Sequence, residues 1–150
     1  MPIIDLENQS TIVIDLSLLE EIAHSVTQRE IELIVTDNET IKMLNEEHRG
    51  KAQATDVLSF PLESPFEEEK SHSMPLGSIV ISEAFVKEKA LEFGHSEAAE
   101  ASLLFIHGLL HLLGYDHEVD RGEMREKEKA LIQTFSLPSS LIIRTTEGKK

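Results

Sequence analysis

Leu103-Leu104-Phe105-Ile106-His107-Gly108-Leu109-Leu110-His111-Leu112-Leu113-Gly114-Tyr115-Asp116-His117 is the stretch on which the reading of this chain turns. Its eight large apolar residues leave almost no polar face, so a helix here belongs at the buried centre of the fold and not on its surface. Ser96 is placed to open that helix and Gly114 to close it, because glycine adopts the left-handed turn that ends helices. His107 and His111, four residues apart, fall on one helix face about 6 Å apart along the axis, a spacing that suits two ligands of one tetrahedral ion. The turn at Gly114 lets Tyr115 and Asp116 carry His117 back towards them.

A single histidine on an apolar helix is ordinarily a core residue with one satisfied hydrogen bond. Three at this spacing each need a partner, and an unsatisfied buried polar group costs roughly 1–3 kcal/mol. One ion shared by His107, His111 and His117 satisfies them all. Three ligands leave a fourth corner open, as in catalytic zinc sites and unlike structural ones. Metalloproteases of the His-Glu-x-x-His type carry a glutamate base after the first histidine. Gly108 stands at that place here, so peptide hydrolysis lacks its base. Neutral imidazoles leave an ion its full charge, which makes it a strong Lewis acid suited to a charged phosphodiester. The first reading is a metal-dependent hydrolase.

Working outward, Ile3–Leu6 reads as a short first strand, followed by an amphipathic helix through Leu16, Leu18, Leu19 and Ile22. Ile31–Val35 is a second strand, and Asp37 caps a helix that carries Ile41, Leu44 and His48 on one face and ends at Gly50. Val57–Phe60 and Ile79–Ile81 are two further strands. Ser82 caps a helix with Val86, Ala90 and Phe93 on its apolar side, ended by Gly94. A last helix, Gly122–Thr134, is amphipathic through Met124, Ala130 and Leu131. This order predicts an α+β, α/β-like fold: a four-stranded mixed sheet packed against about five helices, the central one carrying the metal ligands. Residues 1–150 are expected to form one domain, with 63–75 an exposed acidic loop and 138–150 a C-terminal tail. His72 falls in that loop as a solvent residue, and His24 and His95 are expected to be exposed.

There is no cysteine, which excludes disulfides and thiolate metal sites. The first residues carry neither a basic region nor a long apolar run, so no signal peptide, no membrane span and a cytoplasmic location are expected. The net charge of −14 opposes non-specific binding to nucleic acid. Any RNA contact must therefore be local, with Arg49 and Lys51 foremost, then Arg121, Arg125 and the tail residues Arg144, Lys149 and Lys150. Apart from Arg49, these read as solvated surface charges.

Residues 107–117 match every fixed position of His-Gly-x-Leu-His-Leu-x-Gly-Tyr-Asp-His, and Arg49 is followed by Thr55-Asp56-Val57-Leu58-Ser59-Phe60-Pro61. On these two blocks, in this order, the chain resembles the YbeY family of bacterial endoribonucleases, which mature ribosomal RNA. The resemblance runs the length of the chain. It implies one zinc ion on His107, His111 and His117, a further functional role for His107, and Arg49 as the basic cleft residue that contacts substrate phosphate. Two positions depart from the family's habit. Ser78 stands where an aspartate is frequent, and His48 stands where a tyrosine or phenylalanine often precedes the arginine; imidazole can still stack on a base. Asp116, beside a ligand, is read as orienting that ligand from behind more than as a general base.

The expected activity is metal-assisted, single-strand-specific cleavage of ribosomal RNA on the small ribosomal subunit. Two other classes share the ligands. A metallohydrolase of peptides or small molecules is disfavoured by Gly108. A ribosome-assembly module with a structural zinc would bind a ribosomal protein or an assembly GTPase, as the resemblance also permits. The acidic surface suits basic ribosomal proteins, so docking and cleavage are compatible.

Overall fold

The apolar helix is the centre around which the other elements assemble. The computed structural model describes residues 2–50, 55–61, 75–115, 121–138 and 141, without the side chains of His48 and Arg49. Four strands, β1 (Ile4–Asn8), β2 (Ile31–Thr36), β3 (Val57–Pro61) and β4 (Gly77–Ser82), form one mixed sheet in the order β1-β2-β4-β3. β1 pairs parallel with β2 and β2 with β4, while β3 runs antiparallel to β4. Helices α1 (Leu16–His24), α2 (Asn38–Arg49), α3 (Glu83–Phe93), α4 (Glu97–Leu112) and α5 (Glu123–Thr134) complete the α+β arrangement. None of the described helices is long and apolar enough to cross a membrane.

Alternation along the strands divides the core. Ile31, Leu33, Val35, Ile79 and Ile81 pack with residues of α1, α3, α4 and α5 in one cluster. On the other face Ile34, Leu58 and Val80 meet Ile41 and Leu44 of α2. α4 thus lies beneath the sheet with α1, α3 and α5 around it, and α2 covers the opposite face.

Local chemistry sets the helix starts. Asp37, Ser82 and Ser96 each accept a hydrogen bond from a backbone N–H in the first turn of α2, α3 and α4. At the end of α4, Tyr115 N–H donates to the Leu110 carbonyl and Gly114 N–H to that of His111, both at 3.0 Å. Gly114, at φ 103°, makes the turn that the sequence predicts there, and the structure adds the pair of bonds that closes it.

Several expectations are corrected. β1 runs on to Asn8, and β4 spans Gly77–Ser82. Ala130 is exposed, and α5 buries Met124, Glu128, Leu131 and Ile132 instead. His95 is not exposed: its side chain is 2% accessible and its Nε2 lies 2.7 Å from Oε1 of the fully buried Glu100. The turn between α3 and α4 folds that imidazole onto the first turn of α4, so the carboxylate there has a partner. His24 is half-buried, 3.3 Å from Glu20, whose carboxylate also accepts from the backbone of Ile3 and Ile4. Arg121 and Arg125 are exposed. His72, residues 63–74 of the acidic loop and most of the 138–150 tail lie outside the described residues.

Glu83 opens α3 and accepts from Thr11 N–H and Oγ1–H at 3.1 and 2.9 Å, with Lys87 Nζ at 3.1 Å. The Thr11 backbone bond, with help from Lys87 and the Thr11 hydroxyl, holds its carboxyl below the ordinary glutamate value. A depressed carboxylate pKa stabilises the fold above the unfolded value, about 4.3, and that contribution disappears as pH falls through the folded value. Glu83→Gln should therefore be less stable than the parent at pH 7 and converge with it in strong acid, as measured by urea unfolding from pH 7 to pH 3.

Candidate functional site

Between Ala99 and Leu112 every residue of α4 is buried except His107 and His111. One turn apart, they make a single opening in an otherwise closed helix surface. The His107 side chain is 20% accessible. The two rings stand edge to face with centroids 4.7 Å apart. Their Nε2 atoms face each other at 3.2 Å. Two nitrogens on one tetrahedral ion, each at 2.0–2.1 Å from it, would be separated by about 3.3 Å. The pair therefore fits a shared zinc ion in both donor type and spacing.

Gly108 lies between the histidines and is buried. A Cβ built there would sit 2.8 Å from Cγ2 of Ile79 on β4. The helix comes this close to the sheet only because the position has no side chain. The place where a His-Glu-x-x-His protease keeps its base is here a packing contact, facing the sheet and away from the opening.

Behind His107, Nδ1 lies 2.7 Å from Oε2 of Glu128, a residue of α5 that is 1% accessible. Sequence reasoning misses Glu128, because a glutamate on an amphipathic helix is ordinarily solvated. The available signal is its spacing: it follows Met124 by four residues and precedes Leu131 by three, on the face that α5 buries.

Of the residues expected in the site, the structure brings His107 and His111 together. Asp116 and His117 lie outside the described residues. Arg49 is the last residue of α2, and its side chain and that of His48 also lie outside the described residues. Asp5, Glu32, Ser78 and Phe60 form a row across the four strands and line a cleft of about 740 Å³. Neither histidine lines it. The Ser78 hydroxyl donates to Glu32 at 2.7 Å, a bond that the aspartate frequent in the family could not make in its ionised form.

Facing imidazoles at a gap in a packed core suit hydrolytic chemistry, and a hydrolase is the class of protein that this arrangement fits. Comparison with known proteins narrows this. Residues 4–136 match the family described as Endoribonuclease YbeY. The chain is 62% identical over 142 residues to the Endoribonuclease YbeY of Sulfurovum sp. (strain NBC37-1), covering 95% of this chain and 97% of that one. It is 54% identical over 144 residues to the Endoribonuclease YbeY of Wolinella succinogenes, covering 96% and 99%. The solution structure of TM1509 from Thermotoga maritima superposes with a TM-score of 0.55 at 27% identity, over 97% of this chain and 93% of that one. The chain belongs to the YbeY family of endoribonucleases.

Gly108→Glu should not install a protease base. It would drive a carboxylate into Ile79, and an uncompensated buried charge costs about 3–5 kcal/mol. The expected outcome is a thermal midpoint lowered by about 10 °C or more and no peptide hydrolysis, measured by circular dichroism and a casein assay.

Proposed function

We propose that this endoribonuclease holds one zinc ion on His107, His111 and His117 and cuts single-stranded RNA during ribosomal RNA maturation in the cytoplasm. The observation that carries the reading is the pair of facing Nε2 atoms, 3.2 Å apart, at the opening between Ala99 and Leu112 of α4. The motif through His117 supports a third ligand. When bound, the ion would supply Lewis-acid polarisation of a phosphoryl oxygen.

The chain's own residues do the rest. Arg49, with a planar guanidinium that matches phosphate geometry, neutralises charge developing on the scissile group. His48 offers a ring on which an unpaired base can stack. Asp116 orients a ligand imidazole from behind. Gly108 stands where a His-Glu-x-x-His protease carries its base, which argues against peptide hydrolysis.

Substrate capture needs help, because a chain of net charge −14 repels RNA at long range. The same charge attracts basic ribosomal proteins of the small subunit, and the cleft lined by Asp5, Glu30 and Glu32 adds to that field. Docking on such a protein, or on an assembly GTPase, delivers the enzyme to RNA that it would not hold alone.

The test is cleavage of a structured ribosomal RNA fragment, with metal content measured on each protein. The parent should carry one zinc and cut. Arg49→Ala should keep its metal and lose about 100-fold or more in rate, and His107→Ala should lose both metal and cleavage. A metal-loaded parent that cuts nothing, even with ribosomal particles supplied, would overturn the assignment.

A further inference from the structure

We infer that Glu128 is the positioning residue of the histidine centre: it holds His107 with its proton on Nδ1 and so keeps Nε2 ready to ligate. The inference rests on the zinc reading above, but its first test needs no zinc.

Burial supplies the starting point. Met124, Leu131 and Ile132 fasten α5 to the core, and Glu128 on the same face is 1% accessible. A carboxylate so enclosed is costly unless a donor meets it. His107 Nδ1 does so at 2.7 Å, whereas Glu128 Oε1 has no hydrogen-bond partner among the described residues. In the inferred arrangement, Oε2 accepts this bond and Nδ1–H donates it. In a neutral imidazole that leaves a lone pair on Nε2, directed at His111.

That lone pair faces Nε2 of His111 across the 3.2 Å gap, where a shared ion would sit. Glu128 is not the general base, since it touches the far nitrogen of His107, away from Nε2, and is enclosed by the core. It acts through His107, as carboxylates behind zinc-bound histidines commonly do.

The competing account is that Glu128 is only a strut between α4 and α5. Glu128→Met fills the same space without charge, and Glu128→Gln keeps an acceptor that can also turn its amide towards Nδ1. Nitrogen-15 NMR of the metal-free parent should show His107 protonated on Nδ1 and bare on Nε2. Zinc affinity, read by competition with a chelating dye, should fall about 10-fold in Glu128→Gln and about 100-fold in Glu128→Met. The metal-free thermal midpoint of each variant reads the strut role separately, because removing Glu128 leaves the Nδ1–H of His107 without its partner whether or not zinc binds.

A proton on His107 Nε2 in the parent would overturn the inference. So would zinc binding by Glu128→Met within about threefold of the parent, well short of the loss expected when a carboxylate behind a ligand is removed. Should the methionine variant fail to fold, the glutamine variant and the parent spectrum still decide the matter. A parent with the expected proton position that binds no zinc would sink the zinc reading and leave the role of Glu128 in orienting His107 intact.

Discussion

The contact between Gly108 and Ile79 is the constraint on which the rest of the structure depends. It lets α4 lie directly against β4, with Leu103, Phe105, Ile106, Leu109 and Leu110 all buried around it. A helix apolar on nearly every side must be enclosed on every side. The sheet encloses one flank and α1, α3 and α5 the others, and among the described residues α2 covers the opposite face of the sheet. The position of the histidines follows from the same burial, because they mark the only opening between Ala99 and Leu112.

Polar groups carried into such a core need partners within it, and the structure supplies them in pairs. Glu100 meets His95 at the start of α4, and Glu128 meets His107 near its end. In each case a carboxylate and an imidazole close the gap at 2.7 Å, within the range of a charge-assisted hydrogen bond. The first pair ties the α3–α4 turn to the helix it precedes. The second ties α5 to the functional face. Because α5 reaches the site through a side chain facing inward, the geometry at His107 depends on how two helices pack as well as on its own helix.

A rigid helix also suits the chemistry. Groups that must meet a reacting phosphate within a fraction of an ångström work best on elements that do not move. Here the two imidazoles project from the most enclosed helix of the fold. The surface acts at longer range. Its net charge of −14 opposes long-range attraction of RNA.

Much is legible from residues near one another in the chain. Helix ends can be read from sequence because caps are local: Asp37, Ser82 and Ser96 accept from a first-turn N–H, and Gly114 turns α4 within a few residues. The centrality of α4 and the facing of His107 and His111 are also legible, since periodicity places side chains on a helix without reference to anything outside it. Only the tertiary structure decided that Glu128 lies behind His107, twenty-one residues away, and that His95 is buried against Glu100. A sequence assigns a glutamate, or a histidine in a turn such as His95, to solvent by its solvation cost alone. Whether a partner offsets that cost depends on which helix packs across from it, and that is settled by the whole core at once.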